Sequence, residues 1–331
     1  MEIRALRDDE LDEHAELIYV SYSHERELDP GSMLTHRDWW LHSIERNPYY
    51  EPQQTRVMEM DGRLVSSVTC YHRPTYVPGG EAKAVCIGSV CTHPDYRRRG
   101  LAREVLQEAT EWMISEGYQW SFLYGRAEVY GGSGWRNLST FDTFADLRLR
   151  DYYLGEVSLR SVDPEEDLEV LTDIYAQFNS RLVGPTVRTE EYWRNRVLAA
   201  TPWGAGPEYE IAEQGGNAVG YVCMYGNQLR EIAWLDRPHE LLAEVLARAD
   251  GEPVHFGFSL PELTEALRDV SAIPTQQQCF EEPGGIELRE TYRGLWRYHG
   301  TTPDDDMPAD TGSLVRYMRD HDYVMWAADR A

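Results

Sequence analysis

Apolar and polar positions along the chain alternate with two periods, and the switches between them mark out a series of strands and helices. Ile3-Arg-Ala-Leu-Arg7 reads as a short strand. Asp8-Asp-Glu-Leu11 then opens a helix whose apolar residues recur at Leu11, Ala15, Ile18 and Tyr19, with acidic residues in the first turn, where the helix dipole favours them. A second helix after Thr35 carries Trp39, Trp40, Leu41 and Ile44 and stops at Asn47-Pro48. Thr55 to Met60, the turn Asp61-Gly62, and Leu64 to Tyr71 predict a hairpin. A β-rich run from Val85 to Thr92 follows, then an amphipathic helix from about Leu101 to Glu116 closed by Gly117, then a strand from Trp120 to Tyr124.

The second half repeats this plan. Leu159-Arg160 begins a strand as Ile3-Arg4 does, and Asp163-Pro-Glu-Glu166 predicts a helix N-terminus with proline at the first position. Thr189-x-x-x-Trp193 then Pro202 echoes Thr35-x-x-x-Trp39 then Pro48, and Gly215-Gly216-Asn217-Ala-Val219 echoes Asp61-Gly62-Arg63-Leu-Val65, both offset by 154 positions. Leu241 to Ala249 echoes Leu101 to Ala109. Four matches in one order point to an internal duplication. Leu288 to His299 reads as a strand, Thr301 to Thr311 with Asp304-Asp-Asp306 as an exposed loop, Leu314 to Met318 as a helix, and Tyr323 to Trp326 as a last strand. The expected architecture is α/β with a mixed sheet (α+β), in two units, about 1–154 and 155–331.

Charge narrows the functional classes. The 331 residues carry a formal net charge of -25, and Lys83 is the single lysine. Such a surface argues against nucleic acid and anionic membranes as partners and suits a salt-rich, halophilic cytoplasm. Hydrophobic residues make up 42%, enough for a real core. Cys70, Cys86, Cys91, Cys223 and Cys279 form neither a disulfide framework nor a zinc pattern, and most sit in apolar runs, so buried thiols in a reducing compartment are expected. No signal peptide or membrane-length apolar run is present, which makes the cytoplasm the expected location.

Against this acidic background the stretch Ser89-Val-Cys-Thr-His-Pro-Asp-Tyr-Arg-Arg-Arg-Gly-Leu-Ala102 stands out. A strand, a basic turn and a helix N-terminus make an anion site: the first helical N–H groups lack intrahelical partners, Gly100 lets the backbone approach a phosphate, and Arg97, Arg98 and Arg99 add charge. Arg97-x-x-Gly100-x-Ala102 after Thr92-His93-Pro94 resembles the acyl-CoA pyrophosphate loop of the GNAT superfamily of N-acetyltransferases. The duplicated plan resembles the double-GNAT core of the enhanced intracellular survival acetyltransferases. Those enzymes carry a further sterol-carrier-like domain, for which this sequence has no room, and the catalytic role of their C-terminal carboxylate is not carried over. The second copy keeps strand and helix but not the arginine loop, since seven positions separate Pro94 from Leu101 and only three separate Pro238 from Leu241. It is expected to be a degenerate GNAT-like unit.

The resemblance implies that main-chain groups of Val90 and Thr92 hold the pantetheine arm, that backbone amides from Arg98 through Leu101 to Ala102 hold the pyrophosphate, and that Arg97 braces the loop. It also implies an oxyanion donor in the Val90 amide and a tyrosine acid for the leaving thiolate. Tyr130, in Ala127-Glu-Val-Tyr130-Gly-Gly-Ser-Gly-Trp135, is the candidate; a phenol of pKa about 10 matches a thiolate of similar basicity. Its competing reading is a core aromatic, one among 21 tyrosines. No general base stands out among Glu25, Glu27, His72, Ser89 and Glu128, and His93 reads as structural. Gly131-Gly-Ser-Gly134 does not fit a dinucleotide fingerprint, and no metal-spaced cluster is present. The expected activity is acetyl-CoA-dependent N-acetylation of a small-molecule or peptide primary amine by direct attack in a ternary complex, with a homo-oligomer left open. The alternative is a non-catalytic acyl-CoA sensor or scaffold.

Overall fold

The computed structural model describes residues 2–23, 36–150, 154–199, 207–271, 285–300 and 310–326. In chain order the first half contains β1 (Glu2–Ala5), α1 (Leu11–Ser23), α2 (His36–Glu45), β2 (Thr55–Met60), β3 (Arg63–Val77), β4 (Gly80–Thr92), α3 (Leu101–Ser115), β5 (Trp120–Leu123), α4 (Ala127–Tyr130) and β6 (Arg136–Ala145). The second contains β7 (Ser158–Ser161), α5 (Leu168–Asn179), α6 (Glu190–Tyr192), β8 (Tyr209–Gln214), β9 (Asn217–Tyr225), β10 (Gln228–Trp234), α7 (Pro238–Arg248), β11 (Val254–Phe256), α8 (Pro261–Val270), β12 (Ile286–Tyr298) and α9 (Thr311–Asp320). The β2–β3 hairpin turns at Asp61 and Gly62, both at positive φ, as an Asp-Gly turn requires.

These strands form one mixed sheet in the order β1-β2-β3-β4-β5-β12-β6-β11-β10-β9-β8-β7. The order is two-fold symmetric about its centre. In each half the fourth and fifth strands, β4 with β5 and β10 with β11, are parallel. The sixth strand of each half is exchanged: β12 pairs antiparallel with β5, β6 pairs antiparallel with β11, and the two meet at the middle of the sheet. Phe122 of β5 and Trp296 of β12 stack at 4.7 Å across this seam. Asp142 of β6 accepts hydrogen bonds from Arg293 of β12 and His255 of β11. Gly294, at φ +100° in a β12 bulge, lies so close to the Leu123 carbonyl that a Cβ would stand 2.7 Å from it.

Both faces of the first-half sheet are covered, and strand alternation divides the side chains between them. Val85 and Ile87 of β4 pack with Val105, Leu106 and Met113 of α3. Ala84 and Cys86 point the other way, into a core with Trp40 of α2, Ile18 of α1 and Leu314 of α9. Among the described residues no helix is long and apolar enough to cross a membrane. Cys70, Cys86, Cys91 and Cys223 are free and buried; Cys279 lies outside the described residues.

Two local expectations differ from the structure, and the segment after β5 takes a form the sequence left open. The helix read at Asp163 starts at Leu168, because the Asp163 carboxylate closes a turn on the Glu165 and Glu166 amides instead of capping a helix. Tyr323 to Trp326 is not a strand: Tyr323 makes one bridge to Val183, and the run continues without a ladder. Tyr130 ends a one-turn helix, and Gly131–Ser133 forms a 3-10 turn. Thr35, Pro202 and Asp304 to Asp306 lie outside the described residues.

Candidate active site

Strands β4 and β5 pair only from Ala84–Trp120 to Ile87–Leu123. Beyond that point β4 runs on along β3 to Thr92, while the chain after Leu123 turns away into α4. The strands therefore part, and the edge of β4 opens onto a cavity of about 340 Å³. A bulge marks the parting. Ser67 pairs with Cys91 and Thr69 with Gly88, which leaves Ser89 and Val90 opposite Val68, with Ser89 at φ +48°.

The basic loop forms the cavity's second wall. His93 caps the turn Pro94–Tyr96, its Nδ1 accepting from the Asp95 amide at 3.3 Å. Arg97 turns inward: Nε donates to the Thr92 carbonyl at 3.3 Å and a terminal nitrogen to the Ser21 carbonyl of α1, so this side chain braces the loop. Arg98 and Gly100 take positive φ, +63° and +83°, and Gly100 caps α3, its carbonyl accepting from the amides of Arg103 and Glu104. The first amides of α3 are left pointing out of the helix at the cavity.

Of the residues singled out from sequence, Val90, Thr92, Arg97, Arg98, Gly100, Leu101 and Ala102 all line this cavity. Arg99 does not; its guanidinium lies over the Tyr96 ring at 5.0 Å and donates to the Asp95 carbonyl. Arg103 does line it, and was legible only as the third residue past Gly100 on the first helical turn. The Val90 carbonyl accepts the Tyr22 hydroxyl at 2.9 Å.

Tyr130 closes the third wall, on the same cavity as Val90 and Thr92. Its ring lies against Gly125, where a Cβ would come within 2.6 Å of Cε2. Burial raises its pKa above the ordinary 10, partly offset by Arg126, so the phenol keeps its proton at neutral pH. Among the candidate bases, Glu128 lies at this cavity and Ser89 at the bulge. His72 packs between Tyr49 and Tyr118, away from the cavity, with its pKa pushed down to about 4 by burial. Glu25 and Glu27 lie outside the described residues.

Residues 2–137 match the family model described as acetyltransferase (GNAT) domain. No curated protein matches the chain. Three solved structures share its fold at low identity. A conserved protein of unknown function from Enterococcus faecalis V583, described as a "Probable N-Acyltransferase", is 14% identical, with a TM-score of 0.66 over 91% of this chain and 73% of its own. A GCN5-related N-acetyltransferase from Kribbella flavida is 16% identical, with a TM-score of 0.62 over 90% and 70%. Eis1 from Mycobacterium abscessus is 14% identical, with a TM-score of 0.60 over 90% and 74%. The parted strands, the bulge and the basic loop all lie within residues 2–137, the stretch that matches the GNAT domain model.

Proposed function

We propose that the protein transfers an acetyl group from acetyl-CoA to a primary amine in a ternary complex. The observation that carries this reading is one cavity lined at once by the open edge of β4, the α3 N-terminus with its basic loop, and the Tyr130 ring. The α3 amides and Arg98 match a pyrophosphate, and the β4 edge at Val90 and Thr92 matches an amide-bearing arm. The cavity is a cationic spot on a strongly acidic chain, which favours an anionic donor over a cationic one.

The amine nitrogen would attack the thioester carbonyl, and the Val90 amide would hold the oxygen as it becomes anionic. Collapse breaks the C–S bond, and the departing thiolate takes the Tyr130 proton. The proton shed by the amine goes to water, and the phenolate regains one from solvent. Residues 1–154 would be the catalytic unit and 155–331 a GNAT-like unit that shapes the acceptor side. A cytoplasmic location and a small-molecule or peptide amine as partner belong to the same proposal.

Calorimetric titration with acetyl-CoA tests it, with wild type and Gly100→Glu side by side. Gly100→Glu puts a side chain and a negative charge where φ is +83° and where the phosphates would sit. Binding by wild type alone, followed by turnover in an amine screen, is expected. Binding without turnover on any amine would favour a sensor, and no binding by folded wild type would sink the reading.

A further inference from the structure

The peptide between Ser89 and Val90 is held in one orientation from behind. Ser67 Oγ stands 3.4 Å from the Ser89 carbonyl oxygen and 2.8 Å from His14 Nε2. His14 is fully buried on α1, and burial pushes its pKa down to about 3, so the imidazole is neutral. The serine has one proton to give. With His14 protonated on Nε2, the ring donates to Ser67 and Ser67 donates on to the Ser89 carbonyl, while the Cys91 thiol, 3.1 Å from Ser67 Oγ, can donate to that oxygen in turn. In a planar trans peptide the carbonyl and the following N–H point in opposite directions. A Ser89 carbonyl tied back toward β3 therefore sends the Val90 N–H toward the cavity that Val90 lines. The next carbonyl, that of Val90, is tied by Tyr22. Both peptides of the bulge are thus anchored by hydroxyls, and a serine at positive φ is kept where it would otherwise relax.

We infer that Ser67, supported by His14, is a positioning residue that holds the Val90 amide toward the thioester oxygen of a bound acyl donor. This rests on the acetyltransferase reading. Neither residue lines the cavity, and both act through the Ser89–Val90 peptide. Removing the Ser67 hydroxyl frees that peptide to rotate, which costs oxyanion stabilisation and leaves the phosphate cradle untouched.

The test compares wild type, Ser67→Ala and Ser67→Thr, each labelled with ¹⁵N-valine, by amide NMR and calorimetry with acetyl-CoA and with CoA. In wild type the Val90 amide proton is expected to move downfield with acetyl-CoA more than with CoA, because only the former carries the carbonyl. In Ser67→Ala that acetyl-specific shift disappears at unchanged acetyl-CoA affinity, and kcat falls about 100-fold with any accepted amine. Ser67→Thr, which keeps the hydroxyl, restores both. An acetyl-specific Val90 shift that survives in Ser67→Ala, or affinity that falls along with it, overturns the inference and leaves the acetyltransferase reading standing. Absence of acetyl-CoA binding by folded wild type sinks both.

Discussion

The two halves place the same elements around a parting of parallel strands, and the loops beside the two partings differ in charge. In the first half β4 leaves β5 with a bulge at Ser89–Val90, and a basic loop leads to α3. In the second half β10 leaves β11 at Leu229–Phe256. Its bulge falls earlier, at Arg230, and β10 then pairs regularly from Glu231 to Trp234. The cavity at the α7 N-terminus is lined by Phe178, Arg181, Trp234, Asp236 and Glu262, and its arginine is paired with Glu262 at 2.8 Å. Two carboxylates and one paired arginine stand there, against three arginines and an open strand edge in the first half. A helix N-terminus alone does not make a phosphate site; the loop that feeds it decides.

A second difference lies one strand further in. Registered through the repeat, Gly88 of β4 (partner Thr69) corresponds to Glu231 of β10 (partner Cys223). Gly88 leaves room for Tyr71, whose ring a Cβ would approach to 2.9 Å. Glu231 instead fills the second core, fully buried, paired with Arg188 at 2.7 and 2.9 Å and accepting from the hydroxyls of Tyr209 and Tyr221. A glycine beside an open strand edge in one copy is replaced by a buried, fully paired carboxylate in the other.

The largest expected break between the halves is acid. His14, His72 and His299 sit in or against the first-half sheet with pKa values pushed by burial to about 3, 4 and 3. Each takes a proton in the unfolded chain near pH 6.5 but not in the folded one until much lower. Stability is therefore full above about pH 6.5 and is lost progressively as pH falls toward 4. Of the other described histidines beyond residue 154, His239 and His255 lie beside Asp269 and Asp142, and His321 contacts the Tyr317 carbonyl. Hydrogen exchange between pH 7 and 4.5 should show protection lost first in β3, β4 and β5. Uniform loss across both halves would remove the distinction.

Next in size is Glu231→Gln, which leaves the Arg188 charge buried without its counter-ion between the rings of Tyr175 and Trp193. It should lower unfolding stability by about 3–5 kcal/mol in denaturant melts, with acetyl-CoA affinity of the folded fraction unchanged. A fall in affinity would show that the second core is coupled to the first cleft.

The sequence made the cradle legible because it is local: an arginine run, a glycine needing positive φ and a helix start are all written within a few residues. The duplication was legible for the same reason, as hairpin turns such as Gly215-Gly216 repeat. The exchange of β6 and β12 was not, since strand alternation says which face a residue takes and nothing about its neighbour strand. Nor were the contacts behind the bulge, where His14 reaches Ser67 and Tyr22 reaches Val90 across 53 and 68 positions. The helix start was misread at Asp163 because a capping aspartate and an Asx turn share one local pattern.

Tyr130→Phe sharpens the comparison at the first cleft itself. Tyr130 lines the cavity beside the basic loop, and phenylalanine keeps the ring on Gly125. If the hydroxyl serves as the acid, kcat should fall about 100-fold, roughly 2.7 kcal/mol of barrier, with acetyl-CoA affinity unchanged. Burial raises the phenol's pKa above 10, so wild-type kcat should show no alkaline fall attributable to this group below that pH. Affinity lost together with kcat would mean that the hydroxyl only anchors the donor. An unchanged kcat would return Tyr130 to a packing role, as one of the partly buried side chains against the core beneath α3.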